Sequence, residues 1–186
     1  MANNTCRATE AVVIKLINAE KNKELLESIP HRYVMDLAVV YCEFFVNSEG
    51  RIELTPPINN GSMLAYGIGE VGLFHAACRN MKNMFRAELR NFMGMTVVTN
   101  SISYFGASAI LYSDIVKQYA DENRTDVYLL PSSQHELILM KKGELGLERM
   151  KAMVKAVNAT DVITEEDYLS DNIYLYDRST GKLDVA

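Results

Sequence analysis

Between Thr9 and Ile29 the apolar residues Val12, Val13, Leu16, Ile17, Leu25 and Leu26 recur at near-helical spacing with Lys and Glu between them. Pro30 supplies a stop, and the pattern predicts an amphipathic first helix. From Met35 to Val46 the chain turns rich in Val, Tyr and Phe. Asn47-Ser48-Glu49-Gly50 offers turn chemistry before Arg51 to Thr55, so this stretch predicts a β-hairpin that Pro56-Pro57 closes. Asn59 to Phe92 has scattered Gly, Met and Ala and few β-branched residues, which predicts short helices broken near Gly67 and Gly69.

The second half alternates more regularly. Met95 to Thr99 predicts a short strand, and Asn100 to Phe105 a polar turn. Gly106 to Tyr112 reads as either a return strand or a first helical turn. Ser113 and Asp114 are suited to cap a helix through Ile115, Val116, Tyr119 and Ala120. Val127 to Leu130 predicts a strand, Pro131-Ser132-Ser133 a turn, and Glu136 to Met140 a returning strand. A helix from Leu147 to Val157 follows, with Met150, Met153, Val154 and Val157 on one face. Asn172 to Asp177 and Lys182 to Val185 then form a last hairpin around Arg178-Ser179-Thr180-Gly181. Hairpins interrupted by helices predict an α+β fold, a mainly antiparallel sheet with helices packed on one face. The 186 residues suit a single domain, with an N-terminal half over 9–92 and a motif-bearing half over 93–186.

Charge and cysteine content narrow the partners. The net charge of -5 provides no positive field for a phosphate backbone, so nucleic acid is not an expected partner. Lys15, Lys21 and Lys23 alternate with Glu20, Glu24 and Glu27, as on a solvated face. Cys6, Cys42 and Cys78 are odd in number and unpaired in spacing, which predicts a reducing, cytoplasmic setting. The opening residues lack the basic-then-apolar order of a leader, and no apolar run approaches the roughly 20 residues a bilayer requires. No membrane association is expected.

Several phrases occur together: Val98-Thr99-Asn100, Gly106-Ala107-Ser108, Leu130-Pro131-Ser132-Ser133-Gln134-His135-Glu136, Val157-Asn158-Ala159-Thr160, and Leu169-Ser170-Asp171-Asn172-Ile173-Tyr174 with Tyr176-Asp177. With Ile29-Pro30-His31 and Asp36 to Tyr41 in the first half, they resemble an uncharacterised bacterial family known only as a domain of unknown function. The resemblance covers most of the chain after residue 10. It implies an origin among anaerobic gut bacteria and relatives that are longer at the N-terminus, so that this chain looks like a short member or a C-terminal portion. It also implies an apolar residue where this chain has Gln134. Asn100, Asn158 and Asp171, which fall within these phrases, are candidate ligand-binding residues.

Gly67-Ile68-Gly69-Glu70-Val71-Gly72 has the glycine spacing of a dinucleotide-binding turn. Its context does not fit, because Ser62 to Tyr66 makes a poor strand and no acidic residue ends the next one, so a glycine break between helices is the better reading. Ser132, Ser133, His135 and Glu136 bring together the hydroxyl, imidazole and carboxylate of an activated nucleophile. Neighbours on a strand point to opposite faces, which argues for a turn whose hydroxyls satisfy the backbone while His135 or Glu136 makes a buried polar contact. The residues after Glu136 also lack the second histidine of a zinc protease. His75 and Cys78 share a face if helical and are candidate metal ligands, but no second pair has matching spacing. Asp161, Glu165, Glu166, Asp167 and Asp171 read as a solvated acidic loop with Thr164 as a cap. The ten methionines suit either a core or an adaptable binding surface.

No cofactor is expected. The leading expectation is a non-enzymatic intracellular binding domain with a protein partner or a second copy of itself. It predicts an exposed apolar or Met-rich patch, or a self-complementary edge strand, with no deep polar cleft. The alternative is a small hydrolase or ligand-binding enzyme using Ser132 or Ser133, His135 and a distant acid, Asp171 or Asp177, which requires a serine oxygen within reach of the imidazole.

Overall fold

The computed structural model describes residues 9–160 and 163–186; Cys6, the opening residues and Asp161 lie outside them. The chain divides into two compact units, one ending at Phe85 and the other beginning at Arg86.

The first unit contradicts the expected helix over Thr9 to Ile29. Val12–Asn18 is a strand, β1, followed by a single helical turn, α1 (Lys23–Leu26), and a second strand, β2 (His31–Val34). The reason lies in residue type. Val12, Val13, Ile14 and Ile17 are β-branched, and a pleated strand accommodates their stiff side chains better than a helix does. β1 is buried on both faces except at Lys15, so its apolar positions form a nearly continuous run that only resembles helical spacing. Asn18 ends it, accepting the Lys21 N–H at 2.9 Å. The central strand β3 (Leu37–Val46) pairs antiparallel with β1 and β2, and with β4 (Ile52–Leu54) as the expected hairpin required.

Two helices follow, α2 (Asn60–Ala65) and α3 (Glu70–Met84). Leu73, Ala76, Ala77 and Met81 give α3 its buried face, which packs on β1 and β3. Asn80 on the same face fastens the start of β1, its amide donating to the carbonyls of Thr9 at 2.6 Å and Val12 at 2.9 Å. Cys42 is buried in β3, and burial pushes its thiol up to about 11, so it stays protonated and packs as a small apolar group.

The second unit holds an antiparallel six-stranded sheet in the order Lys182–Val185, Tyr174–Asp177, Val127–Ser133, Glu136–Lys141, Met95–Asn100 and Ala87–Phe92. β5 (Ala87–Phe92) and β6 (Met95–Asn100) form a hairpin. The expectation of helices continuing to Phe92 therefore fails at Phe85: Ala87 to Phe92 has too few apolar positions to mark a strand, and its pairing with β6 decides the matter. A 3-10 turn at Gly106–Ser108, α4 (Ala109–Tyr112) and α5 (Ile115–Asn123) come next, then β7 (Val127–Ser133) and β8 (Glu136–Lys141). Asp114 occupies the cap position of α5 without a capping side-chain bond, and Ser113 instead donates to the Ala109 carbonyl. α6 (Leu147–Asn158) packs on β7, burying Met150 and Val154 against Leu130 and Ile173 while Met153 and Val157 stay exposed. β9 (Tyr174–Asp177) and β10 (Lys182–Val185) complete the sheet as the expected final hairpin. The whole is α+β and antiparallel throughout its ladders.

Candidate functional site

The expected Pro131-Ser132-Ser133 turn is instead the bulged end of β7, and the turn falls on Gln134 and His135. Ser133 still serves the backbone, its hydroxyl oxygen accepting the His135 N–H at 3.1 Å. The His135 ring lies under a stacked Tyr104 ring, centroids 4.8 Å apart, with Phe105 tilted beside it. Nδ1 accepts the Phe105 backbone N–H at 3.1 Å, which places the proton of the neutral ring on Nε2. That nitrogen lies 3.1 Å from Asp167 Oδ1 and donates to it. Both imidazole nitrogens are thus engaged, and neither meets a serine.

The acid at the imidazole is Asp167, and not Asp171 or Asp177. Asp167 also accepts Gln134 Nε2 at 2.6 Å and the Thr164 hydroxyl at 2.8 Å, and its backbone carbonyl accepts the Gln134 N–H. Burial would raise its carboxyl, but the Gln134 and Thr164 hydrogen bonds and the neighbouring His135 outweigh this and hold it below the ordinary range. Thr164 thus caps a turn through the Asp167 N–H, with no helix following. Nothing in the sequence paired Asp167 with His135, since the two are brought together only by tertiary folding.

The loop before the 3-10 turn is unusual. Ser103 and Phe105 both adopt φ of 55°, a left-handed conformation that non-glycine residues avoid at a cost of about 1 kcal/mol or more each. Fully buried Asn100 holds it there: its side-chain Oδ1 accepts the Ile102 and Tyr104 N–H groups and its Nδ2 donates to the Tyr104 carbonyl at 2.8 Å. Gly106 then passes so close to β6 and the turn that a Cβ would lie 2.3 Å from Thr99 Oγ1 and 2.5 Å from the His135 carbonyl oxygen. Thr99 donates to that same carbonyl at 2.9 Å. Three of the phrases noted in the sequence therefore converge on one corner, where their polar groups bind one another.

The remaining candidates fall elsewhere. Asn158, at the end of α6, donates to the Ser170 carbonyl at 3.0 Å and to Asp171 at 2.9 Å, so these two expected ligand-binding residues meet, while Asn100 is spent on its loop. Asp177 accepts from Ser179 and Thr180 and shapes the last hairpin turn. Glu136 is the first residue of β8, paired with Ser133. Ser132 lines a pocket of about 60 Å³ with Leu130, Ile138, Met153, Val157 and Asn158, far below the several hundred Å³ of a typical small-molecule site. A larger hollow of about 300 Å³, unmarked in the sequence, opens beside Ile110, Asp114, Lys117, Tyr176 and Leu183.

In the first unit, His75 and Cys78 lie on α3, and among the described residues no group of three or more His, Cys, Asp or Glu side chains could hold a metal ion. The Gly67 to Gly72 spacing follows a helix, α2, and not a strand. Gly67 takes a φ of 68° as that helix ends, and Gly69 caps α3. Glu70 points back to the sheet, where Arg32 holds it through both carboxylate oxygens, at 3.2 and 3.1 Å, and the Tyr41 hydroxyl donates to it. Burial pushes the Glu70 carboxyl up, but the Arg32 and Tyr41 hydrogen bonds prevail and keep it ionised below the usual range. The Arg32 guanidinium also lies 4.0 Å from the centre of the Phe74 ring.

Leu89, Phe92, Met93 and Met95 make the β5–β6 hairpin one place where exposed apolar residues of the second unit collect, with Tyr104, Met153, Val157 and Val185 exposed elsewhere. The hairpin's two-residue turn, Met93 and Gly94, has φ of 49° and 82°, the geometry of a type I′ turn. Met93 is 86% exposed, and Phe92 and Met95 flank it in solvent. These features define a small antiparallel α+β protein with a closed polar corner and an apolar hairpin at a sheet edge. The chain belongs to a family of unknown function (DUF5688), whose profile matches residues 2–95 and 88–178. No curated protein and no solved structure matches it. Among the described residues no helix is long and apolar enough to cross a membrane.

Proposed function

We propose that this chain is a non-enzymatic protein-interaction module that docks through the β5–β6 hairpin. The observation that carries the reading is Met93, 86% exposed between Phe92 and Met95 at the tip. Thioethers and an aromatic ring held out in water cost hydration free energy that a partner's apolar surface would recover, and methionine adapts to the shape it meets. The buried thiol of Cys42 suits a reducing cytoplasm. The competing hydrolase reading draws on Ser132 and Ser133, yet the His135 nitrogens are bonded to Phe105 and Asp167, so neither hydroxyl has a base to activate it.

The test replaces Met93 with the photo-crosslinking residue benzoylphenylalanine in the native host and compares it with the same replacement at exposed Glu122 on α5. A discrete protein adduct at 93 and none at 122 is expected. Equal labelling at both positions, or none at 93, refutes the hairpin as the docking surface. Hydrolysis of model esters that disappears in Ser132→Ala would restore the enzyme reading.

A further inference from the structure

Among the described residues the β5 strand is the edge of its sheet, with β6 on one side and no strand on the other. The direction of its hydrogen bonds can be read from the ladder. Ser101 N–H donates to the Arg86 carbonyl at 2.8 Å, and the register pairs Ala87 with Asn100 through Phe92 with Met95. Hydrogen-bonded pairs alternate in an antiparallel ladder, so Arg86, Glu88, Arg90 and Phe92 direct their backbone groups toward β6. Ala87, Leu89 and Asn91 direct theirs outward, away from the sheet.

Resting on the docking reading above, we infer that the partner is a second copy of this chain, joined edge to edge through β5 about a twofold axis at Leu89. Antiparallel self-pairing must match outward-facing residues with each other. The register that matches all three sets Leu89 opposite Leu89 and Ala87 opposite Asn91. In that register Glu88 of each copy stands opposite Arg90 of its partner, and Arg86 opposite the exposed ring of Phe92. Two ion pairs flanked by two cation–aromatic contacts then run along one face. Within one copy Glu88 already lies 3.1 Å from Arg86 and 2.9 Å from Arg90, so pairing would join two such clusters across the axis into one network. The edge has no proline and no lysine among Ala87 to Phe92, and its two charges, Glu88 and Arg90, are opposite in sign and so complement a second copy. The opposite edge, β10, is four residues long and carries Lys182 and Asp184. Joining β5 to β5 closes the assembly at two copies, as an isologous contact does.

Native mass spectrometry with light scattering on the full chain, up to about 100 µM, reads the assembly directly. The wild type is expected as a dimer. Glu88→Arg and Arg90→Glu each place like charges across the axis and are expected to weaken the dimer by about tenfold or more. Mixing the two variants restores attraction at both positions, so a heterodimer is expected where each alone is a monomer. A fault in folding would not be repaired by mixing. A monomeric wild type overturns the inference, as does a ladder of growing masses, which would mean β5 pairing with β10. The cross-link at position 93 then decides separately whether the hairpin docks on some other protein.

Discussion

The two most polar features of the second unit use their hydrogen-bonding groups in opposite ways. In the corner around His135, the imidazole, Asp167, Thr99 and Asn100 all bind one another or nearby backbone, and buried Gln134 Oε1 alone lacks a partner among the described residues. Along β5 the backbone groups of Ala87, Leu89 and Asn91 face outward, and among the described residues no strand receives them. The sequence marks the corner far more strongly, with its serines, histidine and carboxylates. Chemical variety in a motif is therefore a poor guide to availability: groups that complete one another's bonds stabilise a fold, while plain backbone at an edge remains open for recognition.

The contrast is broken most severely at Gly106. Replacing it with alanine forces a methyl group into Thr99 and the His135 carbonyl, and the expected loss is about 3 kcal/mol or more, read from denaturant unfolding. Asn100→Ala comes next. It frees two backbone N–H groups and one carbonyl in a buried loop that holds two left-handed residues, for an expected loss of about 2 to 4 kcal/mol. His135→Ala removes the acceptor for the Phe105 N–H and a donor to Asp167, with an expected loss of about 1 to 3 kcal/mol and no change in the oligomer. A large shift in assembly from this variant would show that corner and edge are coupled.

A titration sharpens the same point. The Asp167 carboxyl is held below its ordinary value of 3.8, so the folded state binds its proton more weakly than the unfolded chain does. Its contribution is complete above that value and is lost as pH falls through the lower folded one. Asp167→Asn should therefore lower stability near neutrality and flatten the acid limb of the stability profile; an unchanged limb would mean that the carboxylate is not held by Gln134, Thr164 and His135. The smallest effect on stability belongs to the hairpin. Met93→Ser touches an exposed turn residue and is expected to change stability by no more than about 0.5 kcal/mol, while weakening association with whatever covers the tip.

Much of the second half was legible because its signals are local. The strand at Met95, the helices at Ile115 and Leu147 and the terminal hairpin each carry their own periodicity or turn residues, which physical chemistry ties to short stretches of chain. Misreadings arose where a local pattern admitted two structures. The run from Val12 to Ile17 fits both a helical face and a strand buried on two sides, and pairing with β3 settled it. Ala87 to Phe92 alternates only as far as Arg90 before Asn91 breaks the pattern, and it became a strand through β6.

The sequence alone determined the α+β class, the family resemblance and the cluster of polar residues from Pro131 to Glu136, because composition and short-range order suffice for these. Tertiary structure alone decided that Asp167, 32 positions away, is the acid beside His135. It also placed β5 at the edge of its sheet among the described residues. Both depend on which distant segments pack together, and that is fixed by the burial of the whole chain, to which no single stretch of residues has access.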